Sequence, residues 1–264
     1  MKALRSALWF FILFSVLSCH EQEYSTNLVP DDVLSELKAA GFDTSQGLSR
    51  YKDGYLVEYD IFLTRKQISE LGASISLGHH AQEEHYRTYN LVTQPRTLRV
   101  YMAPGFDSYI QNSFNSALGR YNEINLNIRF QRTTNEAEAD IAILSFSEQS
   151  NILGYSAGFP SGNGAPASPI LLNTHYFNST TQRADATTVI AHEIGHAIGL
   201  RHTDYMARRF SCGSGGNEGS SGAGAVYIPG TPKGGEAESF MLACSNGADR
   251  PFTSGDRNAL TTIY

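Results

Sequence analysis

Val33, Leu34, Leu37 and Ala40 recur at the three-and-four spacing of one helix face behind Asp31 and Asp32, and Gly41 follows them. That pattern predicts a capped amphipathic helix. A strand is predicted over 55–62, and Thr64 opens a second short helix with Ile68 and Leu71, ended by Gly72. Residues 31–72 thus read as a small helix–strand–helix unit. Residues 73–95 are polar and without periodicity, so they read as a linker. The texture changes at Thr97: residues 98–102 alternate as a strand, and Ile110, Phe114, Leu118 and Tyr121 mark one face of a helix over 106–124. Further strands are predicted at 127–132, 140–146, 153–157 and 170–173, separated by Asn, Ser, Gly and Pro clusters. A second long helix follows at 187–200, then a Gly/Ser-rich excursion at 213–236. Thr253 and Asp256 have capping-box spacing for a last helix ending at Tyr264. The expected fold class is α+β: a five-stranded mixed, twisted sheet with a central helix, a backing helix and a C-terminal helix, preceded by a small α/β segment.

Ahead of these elements, Lys2 and Arg5 precede an apolar run over 7–17 too short to span a bilayer, the pattern of an export signal. It ends in Val16-Leu17-Ser18-Cys19, which resembles the bacterial lipobox, where the cysteine is lipidated and becomes the first mature residue. The expected organisation is a lipoprotein-type signal peptide at 1–18, a tether at 19–30, an N-terminal segment with its linker at 31–95 and a main domain at 96–264. The expected location is a bacterial cell envelope, reached through the lipid on Cys19, or the exterior after processing.

At 264 residues, 41% hydrophobic and 17% charged, the chain can bury a real core. Loss of Lys2 and Arg5 with the signal takes the formal charge from −6 to −8, and no basic patch compensates. That balance argues against nucleic acid or anionic membrane surfaces as partners. Past Cys19 the cysteines are Cys212 and Cys244, an even pair that predicts one disulfide in an exported chain and excludes a Cys-rich zinc site.

The run His192-Glu193-Ile194-Gly195-His196 places two imidazoles four residues apart, so on a helix both project from one face toward one ion. Zinc fits this pattern best. Gly199 permits a left-handed helix end, after which His202 can return as a third ligand. Three protein ligands leave a fourth position open, as in catalytic rather than structural zinc sites. Glu193 then faces the open position as general base for a metal-activated water.

His192, Glu193, His196, Gly199 and His202 match the metzincin pattern position by position, and the spelling His-Glu-Ile-Gly-His resembles the bacterial dual-action HEIGH metallopeptidases. The resemblance implies a zinc endopeptidase acting on polypeptides, with the 187–200 helix as the active-site helix and one catalytic Zn2+. It also implies a methionine turn under the metal, for which Met241 in Ser239-Phe240-Met241-Leu242 is the candidate; Met206 stands too soon after His202. Where astacins carry a tyrosine ligand two residues beyond that methionine, Ala243 stands here. Gly154, Tyr155, Ser156 and Ala157 resemble the edge strand along which metzincins align a substrate. Glu58-Tyr59-Asp60-Ile61 resembles the aspartate switch of astacin pro-segments, which implies that Asp60 caps the zinc and that residues 25–95 hold the enzyme latent until release near Arg87 or Arg96. Tyr59 departs from the glycine of that pattern. No residue pattern supports a structural Ca2+ site, and a monomer is assumed.

Two other readings compete. Gly154-Tyr155-Ser156-Ala157-Gly158 also fits the nucleophile elbow of a serine esterase, but breaker residues over 159–164 stand where the elbow needs a helix. A non-catalytic zinc-bearing surface lipoprotein would keep the histidines without needing Glu193. His79, His80, Glu83, Glu84 and His85 have the residue types of a second metal cluster, but in a polar linker they read as a solvated His-rich stretch.

Overall fold

The computed structural model describes residues 29–73, 85–218, 225–232 and 236–264. The expected export signal, Cys19, most of the tether and His79, His80, Glu83 and Glu84 lie outside the described residues. In chain order the elements are α1 (Asp31–Ala39), β1 (Ser49–Tyr51), β2 (Gly54–Val57), β3 (Ile61–Thr64), α2 (Arg65–Ala73) and β4 (Tyr86–Arg87). Then come β5 (Arg96–Met102), α3 (Ser108–Asn122), β6 (Ile128–Thr133), β7 (Ile141–Phe146), β8 (Gly154–Ser156) and β9 (Ile170–Asn173). The chain closes with α4 (Ala186–Ile198), α5 (Arg209–Cys212), β10 (Val226–Tyr227) and α6 (Ser254–Ile263).

Strands β5 to β9 form the expected five-stranded mixed sheet, with β8 antiparallel to β9 and the other pairings parallel. Strands β1 to β3 extend it to eight, in the order β1-β2-β3-β8-β9-β7-β5-β6. Helix α3 backs this sheet because Ile110, Phe114, Ala117, Leu118 and Tyr121 fall on its inner face; Asp107 caps it by accepting from the Ile110 amide at 3.1 Å. The Thr253–Asp256 capping box of α6 is present. No helix among the described residues is long and apolar enough to cross a membrane.

Two local expectations are corrected. The single strand expected over 55–62 is two strands, because Glu58 and Tyr59 take positive φ (56° and 76°) and the Tyr59 amide donates to the Gly47 carbonyl at 3.2 Å. A hairpin therefore turns at Glu58-Tyr59-Asp60. Residues 85–95, expected as linker, are built into the main unit. The Arg201 amide donates to the Tyr86 carbonyl and the Thr88 amide to the Gly199 carbonyl, both at 2.8 Å, while β4 pairs with β10 of the Gly/Ser-rich excursion. Tyr86 and Val92 are buried.

Candidate metal centre

Helix α4 is buried along nearly its whole length, so its polar residues must find partners inside the protein. It packs on α3, where the Tyr121 hydroxyl donates to the Ala191 carbonyl at 2.8 Å. His192 and His196 lie one turn apart on it. At its end Gly199 takes φ 108°, and the Leu200 amide returns to the Gly195 carbonyl at 2.8 Å, a Schellman-type stop. A Cβ on Gly199 would meet Leu91 and Thr88 side-chain atoms at 2.9 Å, so both conformation and space require glycine there. The chain then doubles back and brings His202 to the first two histidines.

The three imidazoles are fixed from behind. Nδ1 of His192 faces the Phe240 carbonyl at 2.9 Å, Nδ1 of His196 the Leu200 carbonyl at 2.9 Å, and Nδ1 of His202 the Glu218 carboxylate at 2.8 Å. Because each Nδ1 meets an acceptor, the proton of a neutral ring sits on Nδ1 and the lone pair on Nε2. The Nε2 atoms converge, with those of His196 and His202 3.2 Å apart. This donor set, three imidazoles sharing one inward focus, fits a zinc ion. Burial pushes His196 down to about 4, which keeps its ring neutral.

Asp60 stands at the same focus. Its Oδ2 lies 3.0 Å from Nε2 of His202 and 3.4 Å from Nε2 of His192, and its Oδ1 lies 3.8 Å from Nε2 of His196. Oδ1 is buried with no hydrogen-bond partner. Burial opposes the charge on Asp60, but the histidines outweigh it and hold the carboxyl well below its ordinary range. Glu193 is 2% exposed and its Oε2 is likewise unpartnered; burial, and then the Asp60 carboxylate, raise its carboxyl well above the glutamate range.

Met241 lies under α4, where a Cβ on Gly195 would meet its sulfur at 2.5 Å. Gly195 is therefore the residue that lets the turn pack against the helix. Met206 is exposed. Cys212 and Cys244 are joined. The Ser156 hydroxyl is buried and donates to the Gly158 carbonyl at 2.9 Å. Strand β8 carries Gly154 to Ser156, and its outer edge is taken: the Ser156 amide donates to the Asp60 carbonyl at 2.9 Å, and Gln67 reaches the Ala157 carbonyl at 3.3 Å. Arg87 and Arg96, expected as exposed release sites, are half-buried in strands, and Arg96 pairs with Asp140 at 2.6 Å.

Sequence reasoning missed Glu58, Arg201, Arg208 and Glu218. Arg201 donates to both Glu58 oxygens at 3.1 and 3.2 Å, while Arg208 donates to the Glu58 carbonyl and to Glu218, each at 3.2 Å. Burial opposes the charge on Glu218, but His202 and the two arginines hold it down to about 2. Asp256 accepts from Ser239, from the Phe240 amide and from the Thr253 amide, so it ties α6 to the segment that carries Met241. An acidic residue in a Gly-rich stretch or at a helix cap has no periodicity to announce such a role.

No curated protein sequence matches the chain. Among solved structures, myroilysin is similar at 14% identity over 68% of this chain and 98% of that one, with a TM-score of 0.45. High choriolytic enzyme 1, a hatching-enzyme zinc protease of the medaka Oryzias latipes, is similar at 16% identity over 63% of this chain and 88% of that one, with a TM-score of 0.40. The sequence profile of the dual-action HEIGH metallopeptidases matches residues 55–264, which include all three histidines, Glu193 and Asp60. The chain belongs to that family and is a metallopeptidase, an enzyme that cuts polypeptides.

Proposed function

We propose that the chain is a zinc endopeptidase of extracellular polypeptides, with His192, His196 and His202 as ligands through Nε2, Glu193 as general base and one ion per chain. The convergence of three Nε2 atoms, each with its Nδ1 committed elsewhere, carries this reading. Zinc, when bound, supplies a Lewis acid that acidifies water and stabilises charge on a carbonyl oxygen. Glu193 lies beside the first ligand with one carboxylate oxygen free, so it can take a proton from that water and pass it to the departing amine. The burial of Glu193, and then the nearby Asp60 carboxylate, favour its protonated form once the proton has arrived.

The same reading makes the N-terminal unit, α1 to α2, a latency device. Asp60 supplies the fourth donor, and β3 occupies the edge of β8 along which an extended substrate would pair. Buried hydrogen bonds pin this arrangement, since Glu58 is held by Arg201 and by two bonds from Arg208 to its carbonyl. Export and lipidation at Cys19 belong to the proposal too, and radiolabelled palmitate tests them.

Metal analysis and peptide hydrolysis test the centre together. The purified chain is expected to hold one zinc, and His196→Ala to lose both metal and activity, because two remaining imidazoles bind weakly. Stoichiometric zinc in His196→Ala would show the ligand set to be wrong.

A further inference from the structure

A cavity of about 470 Å3 opens beside His192 and Glu193 and runs past Thr188, Val189 and Leu242 to Arg250. Arg250 is 3% exposed. Among the described residues no carboxylate pairs with its guanidinium: Nη2 makes a long bond of 3.5 Å to the Cys244 carbonyl, and Nε has no partner. Burial lowers its pKa below the arginine range, with Glu238, Asp204, Asp256 and Asp185 acting only from a distance. The other buried guanidiniums are matched, Arg201 by Glu58 and Arg208 by Glu218. Of the acidic groups, Asp60 and Glu193 line the cavity beside the histidines, while Asp249 is committed to Arg120 and Asp185 to Arg183, a second cation lining the cavity. Two hydroxyls of the lining are committed as well, Thr188 to Asp249 and Ser245 to Asp185.

A buried cation without a counter-charge is costly, and the cost ends when a carboxylate arrives. We propose that this cavity receives an acidic side chain of the substrate, Asp or Glu, from a residue flanking the cleaved bond, and that Arg250 binds its carboxylate and so sets the specificity. The proposal rests on the peptidase reading above and adds the substrate class to it. Arg250 presents a planar fork of donors suited to a carboxylate, and an Asn or Gln side chain of the same shape would leave the cation uncompensated. Discrimination of this kind falls on the substrate that fails to satisfy a buried polar group.

Matched peptides carrying Asp, Asn, Glu, Gln or Ala at each position flanking a single cleavable bond test it, using the full chain and its Asp60→Ala form. At one flanking position the acids are expected to exceed the amides in kcat/KM by about 10–100-fold, the range of a charge-assisted bond in a desolvated site. Arg250→Met should erase the preference and Arg250→Lys keep part of it. Equal rates for acid and amide peptides in the Asp60→Ala form, or a preference that survives Arg250→Met in that form, would overturn the proposal. The acid-to-amide ratio of the unaltered residue decides the matter even if Arg250→Met does not fold. Fluorescence anisotropy on the same peptides, with full-length Asp60→Ala/Glu193→Ala protein, separates the two readings. Cleavage of no peptide together with tighter binding of acids would refute the peptidase and retain the pocket. Equal binding of acids and amides would refute the pocket.

Discussion

At the scale of single residues, the centre depends on groups that orient the histidines as much as on the histidines themselves. Glu193 is expected to be separable from the ligands: Glu193→Ala should keep its zinc yet slow peptide hydrolysis by roughly 100-fold or more, because the water loses its proton acceptor. Activity near that of the unaltered chain would remove Glu193 from the mechanism. Glu218 is expected to act through His202, whose Nδ1 it accepts from at 2.8 Å. Glu218→Gln should weaken metal retention by about 10–100-fold in a chelator competition, the usual effect of losing an orienting partner. Unchanged retention would make Glu218 a partner of the arginines alone. The proposed ligands and Glu193 were legible because they sit within eleven consecutive residues on a helix and its cap. Glu218 was not, since what places it under His202 is a backbone bond from its amide to the distant Tyr205 carbonyl at 2.8 Å.

At the scale of elements, local patterns located α3, α4, α6 and strands β5 to β9 within a few residues, because each carries a full apolar period of its own. The hairpin at Glu58-Tyr59-Asp60 escaped notice because two non-glycine residues with positive φ leave no mark in hydropathy. Residues 85–95 escaped because their order comes from partners far along the chain: the backbone beside Gly199 and the Tyr264 hydroxyl, to which the Val92 amide donates at 3.1 Å. Their role in packing is measurable. Tyr86 is 1% exposed and lies against Tyr205 with ring centroids 4.6 Å apart. Tyr86→Ala is therefore expected to cost about 3–5 kcal/mol in urea unfolding. A residue of a loose linker would cost under about 0.5 kcal/mol. That lower value would return this stretch to the status of a tether.

At the scale of the whole molecule, two distant cross-connections hold the site's walls. The Cys212–Cys244 bridge spans 32 residues and ties the loop after His202 to the segment after Met241. Replacing both cysteines with serine should lower stability by about 2–4 kcal/mol, and an unchanged urea midpoint would show the bridge to be dispensable. The other connection is the single sheet that runs from β1 to β6 and carries the Asp60 turn to the histidines. No strand-by-strand reading could join those two parts, because the link is one parallel pairing, Ile61 with Ser156. Anomalous diffraction at the zinc edge, on crystals of the full-length chain, tests the central assignment most directly. The expected result is one zinc peak at about 2.0–2.1 Å from Nε2 of His192, His196 and His202, with an Asp60 carboxylate oxygen as its fourth ligand. A peak bound elsewhere, or one at the three histidines with Asp60 turned away, would contradict the account.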